Sequence, residues 1–337
     1  KPVVMAGYFG SHLGVIDLDL EYRDGSWSVV TGSGRVRAIK SEGEGGAAPI
    51  HVHSDDTMEI LVEPYHNRTR TYMAQPVGET AIPLHTYAAH LEDEAALDLI
   101  AQAQRDYVKT SLQGTAYEGL PILSAVAPFK AGGRPGPDFY TDIEAGPLTL
   151  RHVADLYVYP NVISAVAITG RDVREWLEMS VRIFKRIDPD VRAPQPLVNG
   201  FIPSYNFDVL DGVTFEIDLS QPHRYGRSGQ IANEGAHRIV NLRFEGKPID
   251  DDQRFIVATN NYRANGGGSF PGLDGSNVVL NSADTVQDIL SAYIRKKGVV
   301  NPTSNHSWSF APLRGSAQVT YQVGPCLLYT SPSPRDS

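Results

Sequence analysis

Cysteine is almost absent: among 337 residues only Cys326 carries a thiol. It lies in a tail of atypical composition, and the rest of the chain can form no disulfide and offers no thiol nucleophile, which names no compartment. Long apolar runs are missing too. Nothing approaches the roughly 18 residues of a membrane helix, so no membrane is expected among the partners. The opening "KPVVM" has neither the charged nor the apolar region of a signal peptide, and so says nothing direct about export. An excess of positive charge is also lacking. A formal net charge of −9 argues against a nucleic-acid polymer as partner, because such binding draws on clustered Lys and Arg, and a small ligand is the easier match.

What is present is an ordinary globular balance of 41% hydrophobic and 20% charged residues, on a length that allows one large domain or two smaller ones. Leu13 to Leu20 alternate apolar and polar, and "RDGS" supplies a hairpin turn before "WSVV". A few strands cannot stand as a domain, so residues 1–40 are expected to be the end of a larger one. "SEGEGGAAP" reads as a linker. From Ser54 to Pro76 apolar residues recur at helical spacing after a Ser/Asp cap signal, with Pro64 a kink and Pro76 a stop, so residues 41–76 are expected to be a linker and an interdomain helix.

Beyond Val77 helical and strand patterns alternate. "EDEAALDLIAQAQRDYVKTSL" puts Ala96, Leu97, Ile100, Ala103, Tyr107 and Val108 on one face. "TGRDVREWLEMSVRIFKRI" opens with Thr169 and Asp172 at capping-box spacing and turns Val173, Trp176 and Leu177 inward. "LPILSAVAPF", "VISAVAI", "GVTFEIDL", "RIVNLRF" and "RFIVATN" read as strands, "ADTVQDILSAYIRKK" as a helix and "AQVTYQV" as a closing strand. Strands outnumber helices and fall partly in hairpins, so residues 77–325 are expected to be α+β with mixed sheets rather than a doubly wound parallel fold. The tail 326–337 looks like a translated sequencing adapter and is expected to lie outside the native fold.

The stretch "NNYRANGGGSFPG", Asn260 to Gly272, invites a phosphate-loop reading that fails. A Walker loop needs Lys and Ser or Thr after its last glycine, a dinucleotide fingerprint must lead into a helix, and "LDGSNVV" does neither. Two readings remain. Either this is a glycine-rich surface turn, or Gly266 to Gly268 fold the backbone back beside Tyr262 so that its ring can stack on a flat ligand. Tyr159, before Pro160 and Asn161 at another strand end, could be the second ring of such a clamp, or half-buried packing. Arg134 in "APFKAGGR" suits planar bidentate recognition of a sugar or phosphate, or simply faces solvent. His51 and His53 beside Asp55 and Asp56 have no third ligand at motif spacing, and a metal reading there is rejected.

The collinear motifs "KPVVMAGYFGSHLGVIDLDL", "APFKAGGR", "ADLYVYPN", "YNFDVLDGVTFEIDLSQP" and "ATNNYRANGGG" resemble, over residues 1 to 323, the bacterial 2′,3′-cyclic-nucleotide 2′-phosphodiesterase/3′-nucleotidases of the 5′-nucleotidase family. The resemblance implies an N-terminal metallophosphoesterase domain holding two divalent metals, of which residues 1–40 are the last strands. It also implies an interdomain helix about which a nucleotide-binding C-terminal domain rotates. Tyr159 and Tyr262 match the family's base-stacking aromatics, and Tyr262, Arg263, Ala264, Asn265, Gly266 and Gly267 match its substrate loop. Asn161 falls where relatives place an Asn against the base, Arg134 matches a substrate-binding Arg, and Asn206 lies near a turn that approaches the base. Gly268 stands where related 5′-nucleotidases carry a ribose-binding Asp. The family's metal ligands and catalytic His precede the position of Lys1, so no catalytic or metal residue is expected here and the chain by itself is expected to be inactive. The whole protein is expected to be a monomeric phosphoric ester hydrolase of the periplasm or cell surface. It would act on nucleotides, with 2′,3′-cyclic and 3′-nucleotides ahead of a 5′-nucleotidase or UDP-sugar hydrolase specificity.

Overall fold

A computed structural model describes residues 2–7, 10–41, 50–133, 135–136 and 138–322. Arg134, the linker residues 42–49 and the tail 326–337 therefore lie outside the described residues. The chain divides into two units, Lys1–Arg70 and Thr71–Ser337.

In the first unit, strands His12–Arg23 and Ser26–Ala38 form an antiparallel hairpin. Asp24 and Gly25 both take positive φ, 50° and 80°, which is the type I′ turn that matches strand twist and that "DG" favours. A register shift at Asp19/Leu20 adds a bulge. Helix α1, Asp56–Met73, follows; Asp55 Oδ1 accepts from the Met58 amide at 3.0 Å, so the acid caps the first turn. Pro64 sits inside the helix, which ends before Pro76.

The second unit is built on a five-stranded sheet with the order 209–211, 122–126, 254–260, 162–169, 278–285. The middle pair, Ile122–Val126 and Arg254–Asn260, is parallel and its neighbours are antiparallel, so the sheet is mixed. Phe255 to Thr259 are all buried, as expected of a central strand covered on both faces. Helix α2, Ala95–Ser111, packs against this sheet through Leu97, Ile100 and Val108, with Tyr107 half-buried at the margin. The short α3, Leu150–Leu156, leads into the strand Val162–Thr169, and α4, Gly170–Ser180, follows it. The capping box at Thr169 forms: Thr169 Oγ1 accepts from the Asp172 amide and Asp172 Oδ2 accepts from the Thr169 amide at 2.9 Å. Helix α5, Asn261–Ala264, is a single turn after the strand Arg254–Asn260, and α6, Val286–Lys297, closes the set.

Helix α6 starts later than its sequence pattern suggests. Ala283 to Thr285 stay extended because Thr285 pairs with Val162, and Thr285 then caps the helix through the Asp288 amide at 3.1 Å. A four-stranded sheet of 213–217, 239–244, 247–248 and 308–310 and a three-stranded one of 76–80, 146–149 and 299–300 complete a mixed α/β unit, each again combining parallel and antiparallel pairs. The closing strand is shorter than expected, Gln318–Thr320, and pairs in parallel with Pro194–Pro196.

Candidate functional site

The register of the central sheet decides where its loops meet. Ala258 pairs with Ser124, Ile163 with Asn260 and Val209 with Val126, so two strands end and two begin at the same edge. The segments after Val126 and Asn260 and before Val162 and Val209 converge there on one cavity of about 200 Å³. Phe129 comes from the first, Tyr262 and Arg263 from the second, Tyr157, Tyr159 and Asn161 from the third, and Tyr205 and Asp208 from the fourth.

One wall is aromatic. Tyr157, the C-cap of α3, is buried; its hydroxyl accepts from Asn260 Nδ2 at 3.0 Å and also bonds Asn161. Burial pushes this phenol up to about 12, so it is neutral at any physiological pH. The ring of Phe129 stands edge-on to both Tyr157 and Tyr159, with centroids 4.7 and 5.3 Å away, and Tyr205 meets Tyr159 edge-on at 6.3 Å. Helix α6 pins this loop: Gln287 Nε2 donates to the Tyr157 carbonyl at 2.7 Å and the Val286 amide to the Asn161 carbonyl at 2.9 Å. Tyr159, 43% exposed, keeps a large part of its ring open to solvent.

The other wall rests on an ion pair. Asn260 Oδ1 accepts from the Arg263 amide at 2.9 Å and starts α5, which turns Tyr262 outward, 47% exposed, and Arg263 and Ala264 inward. Arg263 is 3% exposed and Asp208 5%, yet both are fully engaged: Nε and Nη2 of Arg263 reach Asp208 Oδ2 and Oδ1 at 2.7 and 3.0 Å. Asp208 Oδ2 also accepts from Trp176 Nε1 at 2.8 Å. The rest of the guanidinium donates to the Tyr205 carbonyl at 2.8 Å, to Asn206 Oδ1 at 3.4 to 3.5 Å and to the Gly267 carbonyl, and its centre lies 3.8 Å from the Phe270 ring.

The glycines do something other than open space for a ligand. Gly266 and Gly268 adopt φ of 93° and 77°, which favours glycine. A Cβ on Gly267 would sit 2.5 Å from two ring carbons of Tyr262, and one on Gly268 2.3 Å from Arg263 Nη1. The room they leave is filled by Tyr262 and Arg263 themselves.

The structure thus brings together Tyr159, Asn161, Tyr262 and Arg263 around the cavity. Asn206 sits behind its ionic wall and Ala264 is buried. Asn265 is exposed, donating to the Asn261 carbonyl at 2.8 Å, and Gly266 and Gly267 back the aromatic ring rather than line the cavity. Arg134 is outside the described residues. Sequence reasoning passed over Phe129, Tyr157, Tyr205 and Asp208, although each lies in a motif that was singled out. Among the described residues no group of three or more His, Cys, Asp or Glu could hold a metal ion, so the metals implied by the resemblance find no ligand set here. No described helix is long and apolar enough to cross a membrane. A wider groove of about 770 Å³, near Arg105, Lys109 and Lys297, mixes both charges. Lys109 and Lys297 occupy the last turns of α2 and α6, where cations complement the helix dipole.

The 5′-nucleotidase C-terminal domain family matches residues 76–275, more than half of the chain, and the chain belongs to that family. It is 42% identical over 315 residues to the trifunctional nucleotide phosphoesterase protein YfkN of Bacillus subtilis, covering 94% of this chain and 21% of that protein. It is 41% identical over 334 residues to the 2′,3′-cyclic-nucleotide 2′-phosphodiesterase/3′-nucleotidase of Haemophilus influenzae, covering 96% of this chain and 50% of that protein. The resemblance carried by the motifs is therefore homology. The 5′-nucleotidase precursor of Thermus thermophilus superposes with a TM-score of 0.56 at 16% identity, over 92% of this chain and 52% of that one, a likeness of fold. The chain spans about half the length of the Haemophilus relative and a fifth of the Bacillus one.

Proposed function

We propose that this chain holds the nucleoside part of a nucleotide, with the base stacked between Tyr159 and Tyr262, for a hydrolase of 2′,3′-cyclic and 3′-nucleotides. The observation that carries the reading is the cavity itself. Two half-exposed tyrosines from separate loops wall one small space, and its only charged groups among the described lining residues, Asp208 and Arg263, neutralise each other. Such a space suits an uncharged flat ring with a polar edge, and Asn161 supplies the amide for that edge. Stacking contributes about 1–3 kcal/mol per base and discriminates little among bases, so broad base acceptance follows.

The phosphate belongs outside this cavity, where the surface of the glycine loop is a candidate contact; Arg134, which lies outside the described residues, is a candidate from the family resemblance alone. The chain spans about half the length of the Haemophilus relative; bond cleavage is assigned to the rest of the whole protein, and the role of this chain is to bind and orient. Homology favours cyclic and 3′-nucleotides over 5′-nucleotides as substrates of that whole protein, and export to the periplasm or cell surface as its setting.

Titration of the chain with adenosine, uridine and ribose 5-phosphate tests the reading. Both nucleosides should bind with affinities within about tenfold of each other, while the base-free sugar phosphate should bind far more weakly. Equal binding of ribose 5-phosphate would put the affinity in the phosphate and sink the stacking account.

A further inference from the structure

We propose that Arg263 is a positioning residue that fixes the Tyr262 ring and the Tyr205–Asn206 turn as one rigid wall, and that it acts on the ligand only through that wall. This rests on the nucleoside reading above. The loop motif suggests an arginine that faces the ligand, but the side chain is 3% exposed and its three nitrogens are all committed inside the protein. Its partners come from separate segments: Asp208 before the edge strand 209–211, the Tyr205 carbonyl and Asn206 Oδ1 from the turn ahead of it, and the Gly267 carbonyl from the loop after α5.

The coupling to the ring is direct. Tyr262 is the chain neighbour of Arg263, and Gly267, whose carbonyl the guanidinium holds, lies so close beneath the Tyr262 ring that a Cβ there would meet it at 2.5 Å. Holding the Gly267 carbonyl therefore holds the floor on which the ring rests. Asp208 is locked in turn by Trp176 Nε1 at 2.8 Å, and the Asp208 carbonyl accepts from Ser180 Oγ at 2.6 Å, which anchors the network to α4. Lysine, a point charge without a planar fork, could keep the charge beside Asp208 but could not hold four acceptors in these directions at once.

A double-mutant cycle tests this, read as adenosine affinity, with the thermal midpoint of every variant recorded. Arg263→Lys should weaken adenosine binding about tenfold in the wild-type background and less than about twofold when Tyr262→Ala is already present, because the brace has then lost the ring it positions. The same loss in both backgrounds would overturn the proposal, since it would mean a direct ligand contact or an effect independent of the ring. A folded Arg263→Lys with unchanged affinity would overturn it as well. Should Arg263→Lys fail to fold, Gly267→Ala takes its place: it pushes on the ring from beneath, leaves Arg263 and Asp208 intact, and should reproduce the loss and its disappearance in the Tyr262→Ala background. Absence of adenosine binding by the unmutated chain would instead remove the nucleoside reading itself.

Discussion

The two walls of the cavity present the same residue type by opposite means. Tyr159 is held by other rings, with Phe129 edge-on at 5.3 Å and Tyr205 edge-on at 6.3 Å. Tyr262 is held by backbone and charge, with glycines beneath it and the buried pair of Arg263 and Asp208 behind. Ring packing is tolerant: edge-to-face contacts contribute about 0.5–1.5 kcal/mol each and survive small shifts. A buried ion pair is not tolerant, because removing one member leaves a charge without solvent or partner. The aromatic wall should therefore degrade gradually on mutation, and the ionic wall abruptly.

The largest effect should come from breaking the pair. Asp208→Asn keeps the shape but leaves the guanidinium of Arg263 buried and unneutralised, and should lower the unfolding free energy by about 3–5 kcal/mol in urea titrations. A loss under about 1 kcal/mol would make the two walls energetically alike and end the contrast.

A smaller loss is expected at Phe129, which is half-buried and supports both Tyr157 and Tyr159. Phe129→Ala should cost about 2–3 kcal/mol, below the range for a fully buried Phe, and should weaken adenosine binding without abolishing it. If it is more damaging than Asp208→Asn under the same urea titration, the aromatic wall is the brittle one.

How much of this was legible in the sequence follows the same division. Features set by neighbours along the chain could be read: the Asp24–Gly25 turn and the Thr169–Asp172 box form where their motifs put them, and Tyr262 follows the end of the strand Arg254–Asn260, whereas Tyr159 follows the helix Leu150–Leu156 rather than the strand its motif suggested. Features set by strand register could not. Asp208 reaches Arg263 across 55 positions because Val209 pairs with Val126 while Ala258 pairs with Ser124, and no local signal encodes that. The same holds for Arg263: a motif shows which residue follows Tyr262, and only the tertiary fold shows that its acceptors are internal. The late start of α6 is a further case, with pairing between Thr285 and Val162 prevailing over helical propensity.

The smallest effect concerns pH, and it sharpens the contrast from the aromatic side. Tyr157 is raised from its ordinary value to about 12 by burial, with Asn161 and Asn260 bonding the hydroxyl. A phenol whose folded value lies above its unfolded one of about 10 contributes its full stability below pH 10 and loses it as pH rises towards 12. Adenosine affinity should therefore be flat between about pH 6 and 9 and decline only in strong alkali. Tyr157→Phe should leave the flat region unchanged and remove only the part of the alkaline decline that this buried hydroxyl contributes, since other phenols line the same cavity. A step near neutrality would reveal a titrating group at the cavity that this account does not contain.

The claim that everything else depends on is that the two tyrosines clamp one base. Calorimetric titration of adenosine into the wild-type chain, Tyr159→Ala and Tyr262→Ala tests it most directly. Each substitution should weaken binding by about 1–3 kcal/mol, the worth of one stacking face, with the fold intact by circular dichroism. Unchanged affinity in both variants, with both folded, would contradict the clamp and move the nucleoside elsewhere.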